Sequence, residues 1–194
     1  MPPDVSIFPW YQELYCTDSL TQGDILLECP IPILDESVYD ALISGSEYPE
    51  NPTGSINPDV IIMSQACDIE QEKIDSIVVC PLTTLSMLQM KNTDFSTKSR
   101  LESLRQGKEP ALHLLNSYQS EKTMSDFFVV DFHHIFSLPK VFLRRLAISK
   151  DCRIRLLPPY REHLSQAFAR YFMRVGLPVD IDRDALAKIR EVSK

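Results

Sequence analysis

A chain of 194 residues, 44% hydrophobic and 24% charged, has the length of one domain and too much apolar content for wholesale disorder. No apolar run approaches the ~20 residues that span a bilayer, and five glycines against fourteen prolines remove most glycine-rich phosphate loops. The net charge of -7 hides an asymmetry: residues 1–139 carry 7 basic against 21 acidic side chains, and residues 140–175 carry 9 against 2. Such a basic segment faces RNA, an acidic partner or the protein's own carboxylates. We expect the last, since no dense Lys/Arg cluster with interleaved aromatics accompanies it. The opening Met1-Pro2-Pro3-Asp4 has no basic region followed by an apolar core, so we expect no secretory signal and a cytoplasmic location. The five cysteines are odd in number and lack zinc-finger spacing, which predicts reduced thiols, no metal and no cofactor.

Residues 1–20, with Pro9-Trp10-Tyr11, read as an irregular lead-in or a short helix. A turn at 21–24 leads into a strand over Ile25–Cys29, closed by Pro30 and Pro32. Residues 35–58, rich in Pro, Gly and polar side chains, predict a long surface connection with a helical turn at 36–43. The β-branched runs 60–64 and 76–80 are strands whose continuous apolarity implies cover on both faces. Cys29 and Cys80 sit in such runs as small core residues. A helix over 97–106 ends at Gly107 and Pro110. Strands follow at 127–132, 143–148 and 153–157.

After Pro158-Pro159, the positions Leu164, Ala167, Phe168, Tyr171, Phe172 and Val175 step by three and four, as one helical face requires. Arg161, Arg170 and Arg174 fall on its polar side, Gly176 is placed to cap it, and a last helix is predicted from Asp182 to about Val192. Strands first and helices last make an α+β fold. We divide it as a β-barrel domain over 1–157 with residues 158–194 as a helical extension packed on it.

Four places carry candidate chemistry. In Ser64-Gln65-Ala66-Cys67-Asp68, directly after a strand, Cys67 is a nucleophile if a histidine activates it, and a buried thiol ending the strand if none does. Asp68 reads as a turn cap. His113, His133, His134 and His163 are distant in sequence from Cys67. Neighbours on a strand point to opposite faces, so His133 and His134 should divide into one solvated and one packed ring. One of them with Cys67 and Asp68 is the metal alternative. Thr83 and Thr84, past a strand end, offer a hydroxyl to a phosphate or oxyanion, or else satisfy a turn.

Three segments, in order, resemble the MazF/PemK family of toxin–antitoxin proteins. Gln22-Gly23-Asp24-Ile25-Leu26-Leu27 is similar to its Gly-Asp-Ile opening strand, and Asn57-Pro58-Asp59-Val60-Ile61-Ile62-Met63-Ser64 to its Arg-Pro strand. Val78-Val79-Cys80-Pro81-Leu82-Thr83 is similar to its Pro-Ile-Thr strand. Phe128–Asp131 and Phe142–Leu146 stand where that family has a further strand and an arginine-containing turn. The similarity spans about residues 21–150.

The resemblance implies an SH3-like barrel, dimerisation, and metal-free cleavage of single-stranded RNA by the arginine of Arg-Pro and the hydroxyl of Pro-Ile-Thr. Thr83 matches the hydroxyl, but Asn57 stands at the arginine position and supplies no cationic fork. The family's glycine-serine-glutamate loop is replaced by the 35–58 connection. The first expectation is therefore a binding module that acts through a protein partner, antitoxin-like or a defence-complex subunit, with no membrane association; Arg144, Arg145, Arg161, Arg170 and Arg174, with the acidic front, are its expected partner- or nucleic-acid-binding surfaces. The second is an endoribonuclease in which Arg144 or Arg145 replaces the missing arginine. The third is an enzyme centred on Cys67.

Overall fold

The computed structural model of the protein describes residues 8–50, 52–118 and 126–173. Its main sheet contains β1 (Tyr11–Tyr15), β2 (Asp24–Leu26), β5 (Asp59–Ile62), β6 (Ser76–Thr84), β7 (Leu112–Leu115), β8 (Phe128–Asp131), β9 (Phe136–Pro139) and β10 (Cys152–Leu156). Their order is β1-β10-β2-β5-β6-β8-β7, with β9 alongside the first half of β6, and every pairing is antiparallel. The sheet curls into a half-barrel, and Tyr11 Oη donates to the Asn116 carbonyl at 2.6 Å, tying the β1 edge to the end of β7. The fold is mixed α+β.

Alternation along β5 shows why the strand runs are apolar throughout. Val60 and Ile62 join one core with Leu26, Cys29, Ile77 and Val79, while Ile61 joins the other with Ile25, Cys80 and Leu82. The first core is covered by α2 (Ala66–Glu70) through Ile69 and by α5 (Lys140–Ser149) through Leu143 and Ala147. The second is filled by α6 (Tyr160–Phe172), whose Leu164 is buried, with Ala167, Phe168 and Tyr171 packed beside it. Burying one leucine is worth about 1.5–3 kcal/mol, so this helix is part of the half-barrel's core. Val175, Arg174, Gly176 and the predicted last helix lie outside the described residues.

Several expectations are corrected. Residues 143–148 are not a strand but most of α5, because Phe142, Leu143, Leu146 and Ala147 form a helical stripe. Residues 11–15 form β1, where pairing with β10 overrides an unpromising local sequence. β2 stops at Leu26; the chain turns with Glu28 at φ 49° and starts β3 (Ile31–Leu34), with Pro32 inside it. That proline is tolerated because β3 pairs only with β4 (Thr53–Ile56) in a separate two-stranded sheet, which leaves each strand a free edge. Between them the helical turn is a nine-residue helix, α1 (Glu36–Ser44), capped by Asp35 and closed by Gly45 at φ 68°.

The helix expected over 97–106 is α4 (Lys98–Arg105), with Thr97 accepting from Arg100 N–H and Gly107 at φ 66°. It is joined by α3 (Leu85–Lys91) and a 3₁₀ turn at Thr93–Ser96, neither foreseen. Together they cover Val129 with Phe95 and Leu104.

One buried ionic cluster pins β1, β10 and β2. Gly23 is at φ 85°, where a Cβ would lie 2.8 Å from the Leu156 carbonyl, so the resemblance's Gly-Asp pair has a steric basis here. The fully buried Asp24 carboxylate accepts from Arg153 Nε at 3.0 Å and from the Nε and Nη2 of Arg155. Arg153 also donates to the Tyr15, Asp18 and Ser19 carbonyls. Breaking a buried pair on one side strands the other charge, at a cost of about 3–5 kcal/mol. Asp24→Asn should therefore lower the urea midpoint by a loss of that size, and Arg155→Gln, at the more exposed position, by clearly less.

Candidate functional site

The site begins with a proline in the middle of a strand. The first half of β6 pairs with β9 and its second half with β8 on the same side, so β8 and β9 are one strand path interrupted at residues 132–135. Met63 N–H bonds the Val78 carbonyl, which fixes the phase of the β5–β6 ladder. Two-residue alternation then turns the Pro81 nitrogen away from β5 and toward the interruption. Proline has no N–H to continue the ladder, so the chain leaves the sheet there.

It leaves through Asp131. One carboxylate oxygen of Asp131 accepts the His133 backbone N–H and pairs with the His133 ring Nδ1, and the other pairs with His134 Nδ1, each at 2.9 Å. Burial would raise the Asp131 carboxyl, but the hydrogen bonds from His134 and His133 outweigh it and hold the group below its ordinary value. Both imidazoles are exposed, which corrects the expectation of one packed ring. The turn, not strand alternation, directs them.

This turn is one wall of a groove of about 550 Å3. The others are Asn57 and Asp59 at the β4–β5 junction, Pro81 and Thr83 of β6, and Met87 and Lys91 of α3. The groove thus brings Asn57 and Thr83 together. Thr84 is the satisfied hydroxyl: its Oγ1 accepts from Met87 N–H at 3.2 Å and caps α3. Thr83 lies inside β6 opposite Val129, and its hydroxyl has no hydrogen bond to a described residue. An open hydroxyl, the Lys91 ammonium and the imidazole Nε2 of His134 can bind a polar ligand and exchange a proton with it. Lys91 is the only Lys or Arg among the residues that line the groove, against the carboxylates of Asp59 and Asp131.

Lys91, Asp131 and His134 were not foreseen at this site. The signal that could have found them is Pro81, whose missing donor interrupts any strand beside it.

Cys67 is not part of the groove. Asn57 precedes β5 and Cys67 follows it, so they lie off opposite ends of that strand. Cys67 is exposed, which corrects the buried-thiol expectation: α2 begins at Ala66 and gives the inward position to Ile69. Its Sγ lies 3.7 Å from Asp68 Oδ1, and Asp68 is 3.8 Å from Lys73 Nζ. Among the described residues no hydrogen bond joins Cys67 to a histidine. Ser64 Oγ accepts from Val78 N–H at 2.8 Å and extends the β5–β6 ladder. Neither the Cys67 enzyme nor the metal alternative has its partners assembled, and no group of three or more His, Cys, Asp or Glu among the described residues is placed to hold a metal.

The basic segment is divided between the two faces of the sheet. On α5, Arg144 pairs with Glu72, which Lys140 also reaches at 2.7 Å, while Arg145 is exposed with no ion pair to a described residue. The Arg144 and Lys140 hydrogen bonds pull the Glu72 carboxyl down to about 2. On α6, Arg161 pairs with Glu162, and Arg170 donates to the Gln166 carbonyl. With Arg153 and Arg155 on Asp24, most of the described arginines of this segment meet the protein's own carboxylates, as expected.

A second cavity of about 330 Å3 lies between β7, α6 and the end of α4, lined by His113, His163, Arg170 and Tyr171 among others. The His113 and His163 rings meet edge-on at 5.1 Å. Burial, reinforced by His163 and Arg170, pushes His113 down to about 4.

Comparison of the chain with protein-family models, with curated proteins and with solved structures gives no match. What fold and site define together is a mixed α+β half-barrel with a polar groove at the interruption of one strand.

His113 yields a prediction with a definite sign. Its folded pKa is depressed, so between the ordinary value of 6.5 and about 4 the unfolded chain binds the extra proton. Stability should fall by about 3 kcal/mol as pH drops across that window, at 1.36 kcal/mol per pH unit. His113→Gln should flatten the decline, measured as urea midpoints between those pH values.

Proposed function

We propose that this protein is a MazF-like module, its half-barrel a variant of the SH3-like barrel, that works through a protein partner in a bacterial toxin–antitoxin or phage-defence cassette. The partner is antitoxin-like or a defence-complex subunit, and the setting is cytoplasmic. One observation carries this reading: the groove holds Asn57 and Thr83, yet it offers one ammonium against two carboxylates and no guanidinium. Cleavage of a phosphodiester builds negative charge, and a lost stabilising donor typically costs about 3 kcal/mol. A polyanion is also attracted by cations and repelled by carboxylates. Arg144 is no substitute, since Glu72 holds it and it does not line the groove.

A second reading, a metal-independent endoribonuclease, is favoured by a specific feature. The Thr83 hydroxyl is open, and His134, oriented by Asp131, is the kind of base that takes a proton from a ribose hydroxyl while Lys91 faces the phosphate.

One preparation separates the two. The tagged chain, expressed in its native host, should copurify with a stoichiometric protein partner and leave labelled single-stranded RNA uncut. Cleavage that disappears in both Thr83→Ala and His134→Ala would establish the nuclease instead. Cys67→Ser should change neither result.

A further inference from the structure

We infer that the outer side of α1 is a docking surface for a basic amphipathic helix. This rests on the reading that the protein works through a partner, and it names where that partner binds and what chemistry it brings.

The helix α1 is apolar on two adjoining sides. Val38 and Ala41 turn inward and are buried. Tyr39, Leu42 and Ile43, at i, i+3 and i+4, form a second stripe whose exposures are 52%, 56% and 87%. Tyr48, in the segment that follows, is 63% exposed. Single exposed hydrophobic residues need no explanation, but a stripe at helical spacing on a surface helix does. Nothing among the described residues covers it.

Charge identifies the occupant. Asp35, Glu36, Asp40, Glu47 and Glu50 surround this stripe in sequence, and residues 1–72 contain 14 Asp and Glu with no Lys or Arg. None of those five carboxylates forms an ion pair with a described residue, although carboxylates elsewhere in the fold do. A second copy of the chain would set these carboxylates against themselves. Nucleic acid and anionic lipid surfaces are repelled for the same reason. A helix with an apolar stripe and Lys or Arg along its border satisfies both features, its aliphatic side chains meeting Tyr39, Leu42 and Ile43 and its cations meeting Glu36 and Asp40.

The test uses the full chain and a fluorescein-labelled amphipathic Leu/Lys peptide, with Leu/Glu and Ser/Lys peptides of the same length as controls, read by anisotropy at low and high salt. The Leu/Lys peptide should bind and the controls should not. Leu42→Ser with Ile43→Ser should weaken binding at least ~10-fold, about 1.4 kcal/mol. Glu36→Gln with Asp40→Asn should reduce its salt dependence, and Met90→Ser, on the exposed side of α3, should have no effect. All the substituted positions are exposed, so unchanged thermal midpoints will show that the fold is retained. Equal binding of the Ser/Lys peptide, or binding indifferent to the Leu42/Ile43 change, overturns the proposal. So does a sedimentation-detected dimer of the chain that the same change dissociates.

The native-host preparation distinguishes this inference from the reading beneath it. A partner retained equally by wild type and by the Leu42→Ser/Ile43→Ser variant overturns the docking surface and leaves the partner reading intact. Peptide binding at α1 as expected, with no partner copurifying, supports the surface chemistry and counts against the reading.

Discussion

A carboxylate with no access to water is stable only where its charge is met at close range, and Asp24 meets that condition with two guanidiniums from one strand. Arg153 and Arg155 are two residues apart on β10, so both reach the same side of the ladder. The consequence is positional. β2 is only three residues long and lies between β10 and β5. The Asp24 pairs add to the burial of Ile25 and Leu26 and to the Gly23 backbone bonds in holding its register. The same Arg153 gathers the carbonyls of residues 15, 18 and 19, so the loop from β1 to β2 is fixed by the same charge. β5 takes its place from β2, and the groove takes its Asn57 wall from the start of β5.

The groove itself follows from what one residue lacks. Pro81 cannot donate, the strand beside β6 breaks, and the break turns Asp131 and two histidines out of the sheet. In most central strands a proline is excluded; here its nitrogen faces the gap between β8 and β9, where no ladder bond is left unmade. The result is a polar surface set among covered apolar strands, with α3 bringing a lysine and β6 an unengaged threonine. The lining of the groove holds one ammonium against two carboxylates, and none of the described arginines of the basic segment is among it.

How far the sequence could be read depended on whether local pattern or distant pairing decided each element. The strands at 60–64 and 76–80 were legible because β-branched runs covered on both faces leave an unmistakable pattern, and α4 and α6 because caps and stripes agree. β1 and β4 were not: Tyr11–Tyr15 and Thr53–Ile56 are strands by virtue of their partners. The 143–148 run failed for a different reason, since Leu, Ala and Ile suit either conformation and only the positions of Phe142 and Leu146 favour the helix. Asn57 was named through a resemblance and Thr83 also from an expected strand end, although β6 runs on through Thr84; the fold puts both in one groove. Asp131 and His134 belong to one turn and Lys91 to α3, and only the missing donor of Pro81, distant in sequence from the turn, hints at where that turn falls. Cys67 was placed on the wrong side because a helix starting one residue earlier reverses which side chain points inward.

The β3–β4 ribbon has a mechanical property of its own. It carries α1 between its strands, shares no ladder with the main sheet, and runs through Ile56 straight into Asn57. It is anchored all the same: Ile31 is buried in the first core, and the Cys29 N–H bonds the Pro58 carbonyl beside Asn57. The Asn57 wall of the groove is thus held by side-chain burial where pairing with the main sheet is missing.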